Sequence, residues 1–347
     1  MNILFLTGEM APFAKVGGLG DVAAALPPAL RRLGHDVRVV MPRYGTIDPA
    51  RWELAPSVGS FRFPAGYETI TASFLQTERD GVPVYFVELP WLFGDRHSMY
   101  DHGDDARRFA LFCAAALAGC ERLGWQPDVL HANDWHTALT PAMLKGGRAG
   151  AHYVDTASVL TVHNLAYQGW THRAALEGAE AYLPHWAHEQ WVNILGLGLT
   201  TADLITTVSP TYAREILTPE YGEKLDPLLR SRGDRLHGVL NGIDTDLFDP
   251  ATDPHVAANY SAADPTGKAV CKAALQEEAG FPTEPRTPLL AAVSRLVDQK
   301  GFDLFAAAAA CLLSDTPLQI VVLGTGAPKY HALLERLEVD YPGRIRA

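Results

Sequence analysis

Short apolar runs bounded by glycine, proline and polar clusters alternate along this chain with longer alanine- and leucine-rich stretches. Residues 3–6 read as a buried strand, followed by a loop at 8–12 and the glycine-rich run 15–21. Residues 22–33 have helical character, blemished by Pro27-Pro28 and stopped by Gly34. A second apolar strand follows at 37–41. Strand, loop, helix and strand within about forty residues make a βαβ unit.

The alternation continues. Strands are predicted at 83–89, 129–131, 159–162, 204–208, 289–294 and 318–323, and helices at 105–123, 302–313 and 329–339. Residues 236–240 lead into the turn Asn241-Gly242, and a further strand starts near Ile345. Short strands that are apolar throughout predict parallel sheets covered on both faces. The polar segment 249–265, rich in Asp, Pro and Asn, and a second break at 280–285 place a boundary within 245–285. The expected organisation is an α/β domain over 1–245 and a partial one over 246–347, its α/β unit starting near Leu289.

Composition narrows the class. The chain has 347 residues, 48% of them apolar and 20% charged, which fits about two ordinary globular domains. Disordered, collagen-like and small disulfide-stapled proteins are excluded. The net charge of −11 argues against nucleic acid, whose binding draws mainly on Lys and Arg. It does not exclude a small anion held by a few placed cations. Cys113, Cys120, Cys271 and Cys311 form no CxxC pair and sit in apolar or Ala-rich surroundings, so they read as buried free thiols. The start lacks a basic leader region, and the apolar stretches 109–120 and 305–313 fall short of the ~18 residues a membrane span needs. A cytoplasmic protein without a membrane partner is the expectation.

Four segments could carry chemistry. Gly17, Gly18 and Gly20 follow a strand and precede a helix, where bare backbone can approach a diphosphate and the helix N-terminus adds positive potential. Gly18-x-Gly20-x-x-Ala23 also fits a dinucleotide fingerprint, but the next strand ends Val40-Met41-Pro42-Arg43 with no acidic residue for a ribose. That speaks against an NAD-linked oxidoreductase. A turn needed only for packing is the plain alternative, as a solvated surface lysine is for Lys15. The second segment, 131–136, sets His131, Asp134, Trp135 and His136 at a strand end, where open α/β sheets bind ligands. Its ligand-type side chains are too closely spaced for a usual metal site, and structural histidines are the other reading. The third, 161–169, places His163 and Asn164 at another strand end, either as ligand contacts or as helix caps. In the fourth, 294–301, Arg295 follows a strand and Lys300 precedes a helix, a cation pair suited to phosphate without metal. Asp244-Thr245-Asp246 looks like a metal-binding D-x-D triplet but lies beside a turn, so a hinge role is preferred.

Lys15-Val16-Gly17-Gly18-Leu19-Gly20-Asp21-Val22, the runs 131–136 and 161–169, Leu240-Asn241-Gly242-Ile243-Asp244, the run 294–301 and Leu323-Gly324-Thr325-Gly326 occur in this order. Together they resemble the bacterial glycogen and starch synthase family that uses ADP-glucose, from residue 3 to the end. The resemblance implies two Rossmann-like domains in the GT-B arrangement. It implies glucosyl transfer from ADP-glucose to the non-reducing end of an α-1,4-glucan such as glycogen or maltooligosaccharide, with retention and without a metal or other cofactor. By residue match, Lys15 and Gly18 lie near the donor diphosphate. Glu9, Asp21, Tyr100, Asp134, His163 and Asn164 line the sugar and acceptor region. Asn241 sits at the hinge, and Arg295 and Lys300 stabilise departing ADP. The family's second domain also carries a later glutamate near the glucose, a glycine-rich phosphate loop and a terminal helix crossing back, none of which is found in these residues. A C-terminally truncated synthase with little or no activity is therefore expected. The alternative is an inactive fragment that only binds glucan or nucleotide-sugar.

Overall fold

The computed structural model describes residues 1–96 and 98–347. It divides into two compact units, Met1–Ile243 and Asp244–Ala347. In the first unit the strand β1 (Asn2–Leu6) is a short apolar run, buried from Ile3 onward. The helix α1 (Gly18–Arg32) returns the chain to β2 (Asp36–Pro42), parallel to β1. Three strands then form a margin: β3 (Ala55–Pro56), β4 (Phe61–Ala65) and β5 (Glu68–Arg79), with β6 (Val82–Glu88) pairing β2 in parallel. After α2 (Asp105–Arg122) comes β7 (Val129–Asn133), leading directly into the short helices α3 (Asp134–Thr137) and α4 (Leu139–Lys145). β8 (Ala157–Val162) is followed by a small hairpin, β9 (Trp170–His172) with β10 (Trp191–Asn193). The unit closes with α5 (Ile194–Thr201), β11 (Leu204–Thr207), α6 (Pro210–Glu215), α7 (Asp226–Ser231) and β12 (Leu236–Gly238).

Across the main sheet the parallel strands run in the order β6-β2-β1-β7-β8-β11-β12. The chain builds outward from β1 to β2 and β6, then crosses back to β7 and builds the other way. That reversal puts a switch point between β1 and β7, the place where such sheets leave a crevice beyond their carboxyl ends. The all-parallel expectation misses the antiparallel margin of β3, β4 and β5. Ala72 and Phe74 in β5 are buried while their neighbours in the strand are not, the period-two pattern of a half-covered strand.

Helix α1 begins at Gly18, earlier than the expected Val22, and runs through Pro27 and Pro28. Two N–H groups just before it, those of Val16 and Gly17, are bonded by the Glu9 carboxylate. Gly34 ends the helix as expected: it takes the left-handed region at φ 88°, and His35 N–H closes back on Leu30 O at 3.3 Å.

In the second unit, α8 (Gly267–Glu278) precedes β13 (Leu289–Val293), α9 (Phe302–Asp315), β14 (Gln319–Leu323), α10 (Pro328–Asp340) and β15 (Ile345–Arg346). The three strands are parallel, and Phe302, Ala306, Leu313, Ile320, Tyr330 and Leu334 form part of their core. Helix α8 lies inside a stretch read as a break; its Gln276 donates to Gln319 Oε1 of β14 at 2.6 Å. The cysteines are free, but only Cys113 and Cys120 are buried, Cys271 is half-buried and Cys311 is exposed. The buried stripe of α9 is Phe302, Ala306, Ala309 and Leu313, and Cys311 falls off it. No helix among the described residues is long and apolar enough to cross a membrane.

Gly119 of α2 lies against Phe74 of β5, and a Cβ there would come within 2.2 Å of the ring. Gly119→Ala is expected to destabilise the protein by about 1–3 kcal/mol, because both groups are packed without slack. Urea unfolding measures this, and an unchanged midpoint would show that helix and strand can separate freely.

Candidate active site

Three strand ends meet at the switch point: β1 before Thr7-Gly8-Glu9, β7 before Asp134, and β8 before His163-Asn164. Glu9 is buried, and its Oε2 accepts the N–H groups of Val16 at 2.5 Å and Gly17 at 3.0 Å. The glycine loop therefore spends two of its donors on the protein's own carboxylate. In the first turn of α1 the Gly20 N–H bonds Gly17 O at 3.2 Å, while a helix start leaves the N–H groups before it without an intrahelical partner. Gly18, the first helical residue, has open space where a Cβ would stand. Gly20 is different: its Cβ would press within 2.9 Å of Lys15 Cγ. Packing thus requires Gly20 but not Gly18. Lys15 and Asp21 pair with each other at 2.6 Å, both half-exposed. A pair this open contributes at most ~1 kcal/mol and can be given up to a ligand.

Asp134 begins α3 with a left-handed backbone, φ 54°, uncommon for a residue other than glycine. Its Oδ1 accepts the N–H groups of His163 at 2.7 Å and Asn164 at 3.3 Å, so one carboxylate ties the ends of β7 and β8. Burial drives its pKa up to about 7, against the lowering effect of those two hydrogen bonds. Asn164 in turn accepts Ala166 N–H at 3.1 Å through its side chain.

The 98–105 segment brings Tyr100 to the same place. Its ring stacks on His136, centroids 4.5 Å apart, and its buried hydroxyl has no partner among the described residues. Burial raises the phenol's pKa well above the ordinary value, and the nearby Tyr44, Glu9 and Asp134 act in the same direction. Gly8 makes the fit possible, since a Cβ there would stand 3.1 Å from the Tyr100 hydroxyl. Sequence reasoning missed the supports beneath. Arg108, fully buried, bonds Asp105 at 2.8 Å and the carbonyl of Met99, anchoring the segment that carries Tyr100. Tyr44 donates to Gly8 O at 2.6 Å. An Asp-x-x-Arg pair inside the otherwise apolar 105–120 stretch was the readable signal for Arg108.

The histidines of the motifs separate by role. His131 lies within β7, bonded at 2.6 Å to Thr161 Oγ1, which is 2.6 Å from Thr206 Oγ1. It belongs to a polar ladder across three strands, so its structural reading stands. His136 is buried against Trp135, Phe109 and Tyr100. Burial lowers the pKa of His131 to about 4, His136 to about 3 and His163 to about 4, so all three are neutral near pH 7.

Asn241 is exposed near the end of the first unit, its N–H 3.4 Å from Val208 O. Asp244 Oδ1 caps the N–H groups of Asp246 and Leu247, making the D-x-D triplet a local turn. Arg295 and Lys300 belong to the second unit, exposed between β13 and α9 and without an ion pair among the described residues. Their loop is fixed by Leu296 N–H on Thr325 O at 2.9 Å and Ala327 N–H on Leu296 O at 2.8 Å. Gly324 and Gly326 permit this approach: their Cβ atoms would fall 2.0 Å from Ser294 O and 2.2 Å from Leu296 O. The Gly-Thr-Gly run is a packing requirement here.

Residues 2–231 match the family model described as starch synthase catalytic domain. The chain belongs to the starch and glycogen synthase family. A glycogen synthase of Anaeromyxobacter sp. (strain Fw109-5) is 47% identical over 100% of this chain and 74% of its own length. One from Geobacillus stearothermophilus is 41% identical over 99% of this chain and 72% of its own. Among solved structures, the catalytic domain of starch synthase IV from Arabidopsis thaliana, bound to ADP and acarbose, superposes with a TM-score of 0.92 at 33% identity. It covers 99% of this chain and 73% of that one. The synthase fold expected from the motifs is thus the fold this chain has.

Asp134 carries a stability prediction with a defined sign. Its folded pKa, about 7, lies above the ordinary 3.8, so the folded state gains the proton first. The stability this confers is complete below pH ~4 and is lost as pH rises through 7. Asp134→Asn keeps an oxygen for the two N–H groups and removes the buried charge. The variant is expected to exceed the parent by about 1–4 kcal/mol at pH 8, with the gap closing toward pH 4. Chemical denaturation at both pH values measures it, and a variant less stable at pH 8 would contradict the desolvated carboxylate.

Proposed function

We propose that this synthase transfers the glucosyl unit of ADP-glucose to the non-reducing 4-hydroxyl of an α-1,4-glucan, with retention at C1. The bond between C1 and the diphosphate oxygen breaks, a bond from C1 to the acceptor oxygen forms, and the acceptor proton leaves with ADP. The observation that carries this reading is the 0.92 TM-score to a starch synthase domain that holds ADP and acarbose. The names of the curated relatives support it.

In this reading Glu9, Tyr100, Asp134, His163 and Asn164 line the sugar region at the switch point. Burial of Asp134 and the histidines makes each hydrogen bond there stronger than in water. Lys15 exchanges Asp21 for the donor diphosphate beside the first turn of α1, and Asp21 is freed for a sugar hydroxyl. Asn241 acts at the hinge. Arg295 and Lys300 offset the negative charge that grows on the departing diphosphate, the task a metal performs elsewhere. Residues 1–245 form the acceptor side and 246–347 the donor side, inside a cell's cytoplasm.

A second reading is favoured by coverage: the chain spans 74% and 72% of the two relatives' lengths. On that reading it binds nucleotide-sugar or glucan without turnover.

Calorimetry with ADP-glucose, UDP-glucose, NAD and maltohexaose, run beside transfer of labelled glucose, separates the readings. Binding of ADP-glucose and maltohexaose is expected; label in a lengthened glucan selects transfer by the chain itself, and binding without label selects the second reading. NAD binding without ADP-glucose binding would overturn both. Arg295→Ala or Lys300→Ala is expected to cost on the order of 10²–10³ in transfer rate, as for other charge-stabilising donors. An unchanged rate would remove that residue from the chemistry.

A further inference from the structure

Asn133 is the last residue of β7 and fully buried, and no role for it follows from the motifs. Its amide joins three strand ends. Nδ2 donates to Leu6 O of β1 at 3.0 Å and lies 3.4 Å from His131 O. Oδ1 lies 3.0 Å from His163 Nε2, beyond β8. The direction of the amide is decided by its surroundings. Reversed, its oxygen would face two carbonyl oxygens that can only accept, leaving buried acceptors unpaired at a cost of about 1–3 kcal/mol. Asn133 N–H is bonded to Thr137 Oγ1 at 2.6 Å, which fixes the backbone beneath the amide.

With the amide oxygen toward the ring, His163 Nε2 has to carry the hydrogen, because an amide oxygen has none to give. Burial keeps the ring neutral near pH 7. A neutral imidazole has one N–H, so Nδ1 is left as a bare lone pair. No protein group among the described residues bonds Nδ1, and the Nε2 bond to Asn133 is the one that holds the ring.

We propose that Asn133 is a positioning residue, holding the His163 ring as the Nε2–H tautomer so that Nδ1 is offered as an acceptor to a hydroxyl of the bound sugar. The identity of that hydroxyl rests on the glucosyl-transfer reading; the tautomer does not. A ring in the other tautomer would present N–H there, and the hydroxyl would have to accept rather than donate. The sugar would then lose the hydrogen bond it donates, and its hydroxyl the orientation that bond fixes.

Two-bond ¹H–¹⁵N correlations on the full chain labelled at histidine nitrogens test this directly. His163 is assigned by the signal missing from His163→Gln. At pH 7 without ligand, the Nε2–H pattern is expected, and an Nδ1–H pattern or an averaged mixture would overturn the proposal. This readout needs no turnover, so it stands even where the transfer reading fails. In Asn133→Ala the pattern is expected to shift toward a mixture, with kcat falling about tenfold, the loss of one oriented hydrogen bond. A folded Asn133→Ala chain that keeps the pure Nε2–H pattern and the parent kcat would also overturn it. Should that variant not fold, the parent spectrum alone decides.

Discussion

The main sheet of the first unit is built outward from β1 in two directions, and the chain returns to start its second half at β7. Loops leaving β1 and β7 therefore diverge at the carboxyl edge of the sheet, where folds of this kind leave a crevice. Nearly every polar group of interest stands at that edge. Glu9 comes from β1, Asn133 and Asp134 from β7, and His163 and Asn164 from β8. The apolar strands beneath are buried, and the polar groups at their ends bond one another. Glu9 does this by holding the glycine loop, and Asp134 by holding the first two residues after β8.

Electrostatics follow from that placement. Desolvation is the largest influence on Asp134, His136, His163 and Tyr100, pushing each toward its neutral form. In the proposed reading these neutral, hydrogen-bonding groups face an uncharged sugar. The cations are solvated instead. Lys15 is half-exposed in an ion pair, and Arg295 and Lys300 are exposed in the second unit. Such cations can meet a diphosphate without the desolvation cost that a buried charge incurs. The net charge of −11 on the whole chain is thus compatible with an anionic donor.

Much of this was legible in the sequence. Short apolar runs located β1, β2, β6, β7, β8, β11, β13 and β14; most of these are strands covered by the core, although β13 is largely exposed. The glycine loop and the strand-end histidines were visible by their position after those runs. What escaped has physical causes. The margin is half-solvated: β3 is only two residues long, β4 contains a proline, and β5 mixes apolar with polar positions. Helix α8 is flanked by proline-rich segments that mask its apolar face. Arg108, Tyr44 and Asn133 act through contacts distant in sequence, such as Tyr44 to Gly8 and Asn133 to Leu6, which no local pattern records. Gly324 and Gly326 were visible as a motif, but their reason, backbone against backbone, was not.

The central claim is that the crevice between β1 and β7 receives the sugar. A crystal structure of the chain with ADP and a maltooligosaccharide is the most direct measurement. The account predicts a glucose ring at the carboxyl ends of β1, β7 and β8, with a hydroxyl within hydrogen-bond distance of His163 Nδ1. Saccharide density elsewhere, with this crevice holding only solvent, would contradict it.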